Sequence, residues 1–200
     1  MKTITKIPAW LELDTGAHSN TCGVCVEECL ALLLDQAKTD KPDRVHPIIR
    51  DLAIRANDAE TDPKKRRLLA RTLACQVDTD DVSLEVTNGL AAFVCRYSAE
   101  RLPERTDERV GAALIAAAEC LEDPTDEKRA GAARAAEAAW AAWAAEAARA
   151  AEAAEAAWAA FYAELLTAII AEFDRITGRT ECHRFTRSDW QRVRDALEVK

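Results

Sequence analysis

Glycine is scarce in this sequence, six in 200 residues, and none forms a phosphate-binding loop. Nucleotide cradles need closely approaching backbone N–H groups, so the usual nucleotide sites are excluded. Gly-x-Ser-x-Gly and His-Glu-x-x-His are missing as well, which removes the nucleophile elbow and the zinc-protease helix. Basic charge is in deficit, 27 Lys and Arg against 35 Asp and Glu for a net of −8. A phosphate backbone is held by a basic face, so nucleic acid is not an expected partner. No uninterrupted apolar run reaches the roughly 18 residues a membrane span requires. Glu146, Arg149, Glu152 and Glu155 break up the best candidate, and no membrane association is expected. Large core-forming side chains are thin too. Hydrophobic residues make up 49% of the chain, but much of that is alanine between Ala130 and Ala163, which buries little area.

The charge that is present is unevenly placed. Residues 1–122 carry a net of −5, residues 123–178 another −5, and residues 179–200 a net of +2. The one basic run, Lys64-Lys65-Arg66-Arg67, follows Asp62-Pro63 and precedes an apolar stretch, and reads as the solvated face of a helix. Seven cysteines (Cys22, Cys25, Cys29, Cys75, Cys95, Cys120 and Cys182) make an odd count. Met1-Lys2-Thr3-Ile4 runs into Pro8 and Trp10 without the apolar stretch of a secretory leader. Reduced thiols in a cytoplasmic protein are therefore the expectation.

Proline and aspartate punctuate the first 122 residues into an arm and five short helices. Pro8 keeps Ile4 to Leu13 extended, with Trp10 packing on the helices. Asn20-Thr21 can cap a first helix running to about Ala37. Pro47 stands at the first position of a second, and Asp62-Pro63 opens a third with Leu69, Leu73 and Val77 inward. Asp80 or Asp81 starts a fourth with Val86, Leu90, Phe93, Val94 and Tyr97. Thr106-Asp107-Glu108 starts a fifth with Val110, Leu114 and Leu121. The expectation is an all-α protein in which 1–122 form one five-helix bundle.

Residues 123–178 predict a single very long alanine-rich helix, opened by Asp123-Pro124-Thr125 and stopped by Gly178. Alanine has the highest helix propensity, and at 1.5 Å per residue positions 124–177 would span roughly 80 Å. From Arg134 onward the non-alanine residues recur every third position and spiral around the axis. They return to phase after eighteen residues, so Trp158 falls over Trp140 and Phe161 over Trp143. Leu165, Ile169 and Ile176 continue that face, while Glu137, Arg149, Glu152 and Glu164 take the opposite arc. Trp140, Trp143, Trp158, Phe161 and Tyr162 are the candidate interaction residues, facing either the protein's own bundle or another chain. If the face is buried, Trp158→Ala is expected to cost about 3 kcal/mol or more. Residues 179–200 predict a connector and a short C-terminal helix capped by Thr186 and Asp189.

One cysteine cluster has metal-like spacing, His18, Cys22, Cys25 and Cys29. Three cysteines on one helix form a stripe about 10 Å long that cannot surround one zinc ion. A site would need Cys22 in a loop together with a distant pair such as Cys182-His183. No metal, cofactor or catalytic residue is expected. His46 before Pro47 reads as a cap, and the carboxylates of adjacent Glu27 and Glu28 point about 100° apart, so they do not converge as an acid and base would.

The block Ile7-Pro8-Ala9-Trp10-Leu11-Glu12-Leu13-Asp14-Thr15-Gly16-Ala17-His18, followed by Cys25-Val26-Glu27-Glu28, resembles uncharacterised alanine-rich proteins of actinobacteria and their phages. The likeness extends loosely through an alanine-rich run ending near Phe173-Asp174-Arg175-Ile176. Those relatives commonly carry Cys-Pro where this chain has His46-Pro47. The resemblance implies a phage or mobile-element setting and no particular chemistry. The leading expectation is a non-catalytic protein-binding module, plausible as a phage accessory protein that modulates a host or defence factor. A self-assembling protein built on the long helix, and an enzyme of unrecognised type, are the alternatives.

Overall fold

A computed structural model describes residues 7–15, 23–101, 108–146 and 155–198, the side chains of 137–146 and 155–157 excepted. Among the described residues it holds nine α-helices and no strand. They are α1 (Val26–Leu33), α2 (Pro47–Ala59), α3 (Pro63–Arg66), α4 (Leu73–Gln76), α5 (Leu84–Glu100), α6 (Glu108–Glu122), α7 (Asp126–Glu146), α8 (Glu155–Thr177) and α9 (Arg187–Glu198). The all-α expectation holds. Of the single very long helix expected over 123–178, α7 with 21 residues and α8 with 23 are helical, and residues 147–154 between them lie outside the described residues. The two helices belong to different compact units. One is Met1–Asp81 with Glu155–Lys200, the other Val82–Ala154. The division thus falls after Asp81 and Ala154, where the sequence suggested 122 and 178. Helix propensity is a local property and does not say which body each half of an alanine-rich segment packs on.

In the first unit, α2 and α8 are the main packing pair. Ile49, Leu52, Ala53 and Ala56 are buried on α2, and Leu165, Leu166, Ile169, Ile170 and Phe173 on α8. Both sets recur at three- and four-residue spacing, as one face of a helix requires. Helix α1 is sunk almost entirely in this core, with Val26, Cys29, Leu30 and Leu33 buried, and packs against α2 and α9.

The caps follow local chemistry. His46 Nδ1 accepts from the Ile48 N–H at 3.2 Å ahead of Pro47, and Asp62 accepts from Lys64 N–H ahead of Pro63. Helix α1 ends in a paired turn in which Gln36 N–H donates to Ala31 C=O and Asp35 N–H to Leu32 C=O. Asp35 takes the left-handed φ of 62° that such a turn demands. Gly178, at φ 70°, stops α8 as expected. The Thr186–Asp189 cap on α9 is present in both directions, with Thr186 N–H donating to Asp189 Oδ2 and Asp189 N–H to Thr186 Oγ1.

Three expectations shift. The third helix is broken into α3, a 3₁₀ turn over Arg67–Arg71, and α4. Helix α5 is capped by Ser83 rather than by Asp80 or Asp81. Helix α1 is capped by Cys25, and the expected cap Asn20-Thr21 lies outside the described residues, as does Thr106-Asp107.

The basic run also changes role. Lys64 and Lys65 are exposed, but Arg66 is buried. Its guanidinium donates to the carbonyls of Leu13, Asn57 and Glu60. Arg67 donates to the carbonyls of Ile7 and Pro8, and Asn57 Nδ2 to that of Asp14. The arm is held by these donors and by burial of Leu11 and Leu13, while Trp10 is 37% exposed. Asp14 N–H donates to Val24 C=O in a short parallel bridge, and a Cβ at Gly23 would come within 2.5 Å of Asp14. Glycine at 23 is what allows the approach.

In the second unit α6 packs against both α5 and α7. Only Leu90, Ala92 and Ala118 are buried among its described side chains. Val86, Phe93, Val94, Tyr97, Val110, Leu114 and Leu121 are half-buried. Arg96 holds Glu122 through two hydrogen bonds at 2.6 and 3.0 Å and ties α5 to α6.

Candidate functional site

The amino-terminal turns of α8 carry three aromatic side chains in mutual contact. Trp158 and Phe161 meet edge-on with centroids 5.7 Å apart, and Trp158 and Tyr162 stack at 5.8 Å. Phe161 and Tyr162 close the triangle at 5.5 Å. Spacings of three and four residues bring helical side chains together on one flank, which is why this cluster forms locally. Trp158 is 40% exposed, and Phe161 and Tyr162 are half-buried.

Position on the helix explains that exposure. The buried arc of α8 runs through Ala159, Leu166, Ile169, Ile170 and Phe173 as well as Leu165. Leu165 and Ile169, seven and eleven residues after Trp158, fall within about 20° of it at 100° per residue and are buried, so the face expected from the tryptophans is among those that pack. Cover from the core reaches these later turns, and Trp158, in the first turn of α8, is left on the rim. Trp158 therefore buries less than the sequence suggested, and its truncation should cost about 1–2 kcal/mol of stability.

Trp140 and Trp143 lie on α7, in the other unit, and their side chains fall outside the described residues. The five aromatic candidates are thus divided between the two units. His18 and Cys22 also lie outside the described residues. Cys25 is the cap of α1: its Sγ accepts from Glu28 N–H at 3.4 Å while Glu28 Oε2 accepts from Cys25 N–H at 2.9 Å. Burial pushes the Cys25 thiol up to about 12 and raises that of Cys29 further. Cys182 is joined to Cys75 in a disulfide with Cα atoms 4.6 Å apart. The expectation of reduced thiols throughout is corrected at this pair. His183 packs on Phe185 at 4.8 Å and donates its backbone N–H to Ala74 C=O. Among the described residues no three His, Cys, Asp or Glu side chains are grouped to hold a metal ion. In the same residues no helix is long and apolar enough to cross a membrane.

Two features escaped the sequence reading. A groove of about 590 Å³ runs between the arm and α9, lined by Ile7, Pro8, Trp10, Arg187 and Trp190. Its only advance signal is the pairing of an apolar arm with an amphipathic terminal helix. The other feature is Glu27, fully buried on α1 with neither carboxyl oxygen hydrogen-bonded. Desolvation raises its pKa well above the usual 4.5, Arg50 opposing and Asp40 and Asp51 adding to the shift. Burial thus favours the neutral form of Glu27, while its neighbour Glu28 serves the α1 cap and lies 3.9 Å from Lys38 Nζ.

No family model, curated protein or solved structure matches this chain.

Proposed function

We propose that this protein is a non-catalytic protein-binding module whose contact surface is the Trp158–Phe161–Tyr162 triad at the start of α8. The observation that carries the reading is the 40% exposure of Trp158 within a preformed aromatic cluster. Neighbouring rings hold the indole in place, so little rotamer freedom remains to be lost on association, and tryptophan and tyrosine dominate interface hot spots. The likeness of the Ile7–His18 block to proteins of actinobacteria and their phages supports a phage accessory role in the host cytoplasm, with a host or defence factor as partner.

The test is a photo-reactive phenylalanine at position 161, beside Trp158, crosslinked in host lysate, with Trp158→Ala and Tyr162→Ala as binding variants in that background. A single crosslinked protein whose capture falls about tenfold or more in both variants, but not in Glu164→Ala, supports the reading. Equal capture by all three would exclude the triad.

Self-assembly has one observation in its favour. The α5–α6–α7 unit buries few of its described side chains, and a second copy could cover what is left half-exposed. Sedimentation at several concentrations separates the readings, since a module acting on a foreign partner stays at one size.

A further inference from the structure

Three independent ties bring the segment after α8 against α4. The disulfide joins Cys182 to Cys75 across a sequence separation of 107. The Arg179 guanidinium donates to Cys75 C=O at 2.6 Å and to Val77 C=O at 2.8 Å, and is itself anchored on Asp174 at 2.7 Å. The His183 N–H donates to Ala74 C=O at 2.9 Å. Two of these ties contain no sulfur. They hold the same two stretches of chain together on either side of the sulfur pair.

The two sulfurs differ in access. Cys75 is buried, 6% exposed, whereas Cys182 is half-exposed in the connector. The segment that Cys182 anchors leads directly into α9. That helix is held on α1 through Arg192, which donates to Leu33 C=O at 2.9 Å and lies 3.4 Å from Asp35. It also forms one wall of the groove that faces Trp10.

We infer that Cys75–Cys182 is a reversible thiol–disulfide exchange site, with a dithiol as its reductant, that latches the connector and α9 onto the body. A thiolate of the dithiol attacks the accessible Cys182 sulfur, forms a mixed disulfide and expels the Cys75 thiolate, which takes up a proton. The dithiol's second thiol then attacks its own sulfur in that bond, closes a cyclic disulfide and releases Cys182 as a thiol. Two electrons and two protons pass from the dithiol to the pair. The guanidinium fixed at the Cys75 carbonyl favours departure of that sulfur as thiolate. Re-formation runs the other way against a disulfide oxidant such as oxidised glutathione, which leaves as two thiols.

Reversibility follows from the sulfur-free ties. After reduction they keep the two thiols at high effective concentration, so the bond closes again without a search through unfolded chain. Burial raises the pKa of the Cys25, Cys29 and Cys95 thiols, which disfavours the thiolate that exchange requires.

The full-length protein, cycled between dithiothreitol and oxidised glutathione, provides the test. Alkylation and peptide mass spectrometry report the sulfurs, and hydrogen exchange reports the backbone. The expected result is that Cys75 and Cys182 open and close together over repeated cycles at unchanged helix content. Exchange in residues 179–198 should rise about tenfold on opening and fall back on closing, with α5 and α6 unaffected. Cys182→Ser should show the open pattern in both buffers, and Cys75→Ala serves as a second variant if that one fails to fold. Opening only in denaturant would overturn the proposal. So would free thiols at both positions in oxidised glutathione, or unchanged exchange in 179–198 on reduction.

Discussion

The two units are built from the same kind of element and hold together differently. Around α2 and α8, leucine, isoleucine and phenylalanine side chains are fully withdrawn from water, down to Phe173, Leu166 and Ile169. In α5, α6 and α7 the described apolar residues are mostly half-buried, and two of the three that are buried are alanines. Helical content is therefore a poor guide to stability. What separates the units is the size of the side chains that find cover. A buried phenylalanine removes far more area from water than the alanines that dominate α7.

The sharpest way to break this comparison is to truncate one phenylalanine in each unit. Phe173→Ala should cost about 3–5 kcal/mol, and Phe93→Ala, from a half-buried site, about 1–2 kcal/mol. Urea unfolding followed by circular dichroism should also resolve two steps. Phe93→Ala should move the earlier step and Phe173→Ala the later one. Equal losses, or one coincident transition moved equally by both, would remove the distinction.

Next in size is the arm of the first unit. Arg66→Ala strips donors from the Leu13, Asn57 and Glu60 carbonyls and should cost about 2–3 kcal/mol. Lys64→Ala, two residues away and exposed, should stay within about 0.5 kcal/mol. Thermal melts of the two variants side by side would show whether the basic run works as a staple or as a solvated face.

Two titrations in the first unit act in opposite directions. Glu27 has a raised folded pKa, so the native state keeps a proton that the unfolded chain releases above about 4.5. Stability from this site falls as pH rises from 4.5 towards the folded value, and Glu27→Gln should remove that slope. His46 is lowered below its ordinary 6.5, mainly by burial and against the pull of Asp80. There the native state binds fewer protons, so stability is lost as pH falls through 6.5 towards the folded value. Protonation also abolishes the Nδ1 acceptor that caps α2. His46→Asn, which keeps a capping oxygen, should flatten that limb. Denaturant midpoints measured from pH 4 to 8 would separate the two. The smallest effect expected is Leu84→Ala at the start of α5. With 74% of that residue exposed, the change should stay within about 0.5 kcal/mol.

Much of the fold was legible because it is written in nearest neighbours. His46-Pro47, Asp62-Pro63, Gly178 and the Thr186–Asp189 pair each do in space what their local chemistry predicts. The misreadings concern longer range. Nothing near Arg66 announces that one of its partners is the Leu13 carbonyl, on an arm more than fifty positions earlier. Cys75 and Cys182 are paired by topology, which no spacing rule reaches. The alanine-rich segment declared its helicity but not the body that each half joins, because alanine packs against almost anything. At the candidate site, Trp158, Phe161 and Tyr162 were found as a local pattern. Their place on the rim depends on where along α8 the cover from the core ends, which no local pattern reports.

The disulfide also gives the chain a covalent topology. Cys75 and Cys182 close a ring that contains every residue of the second unit, while the arm, α1, α2 and α9 hang from it as two tails. A protease cut anywhere in α5, α6 or α7 opens the ring without releasing a fragment. The nicked molecule would run as one species on a non-reducing gel and as two after reduction. The second unit is thus an insertion fastened at both ends, and in the oxidised protein a single cut within it leaves the two pieces covalently joined.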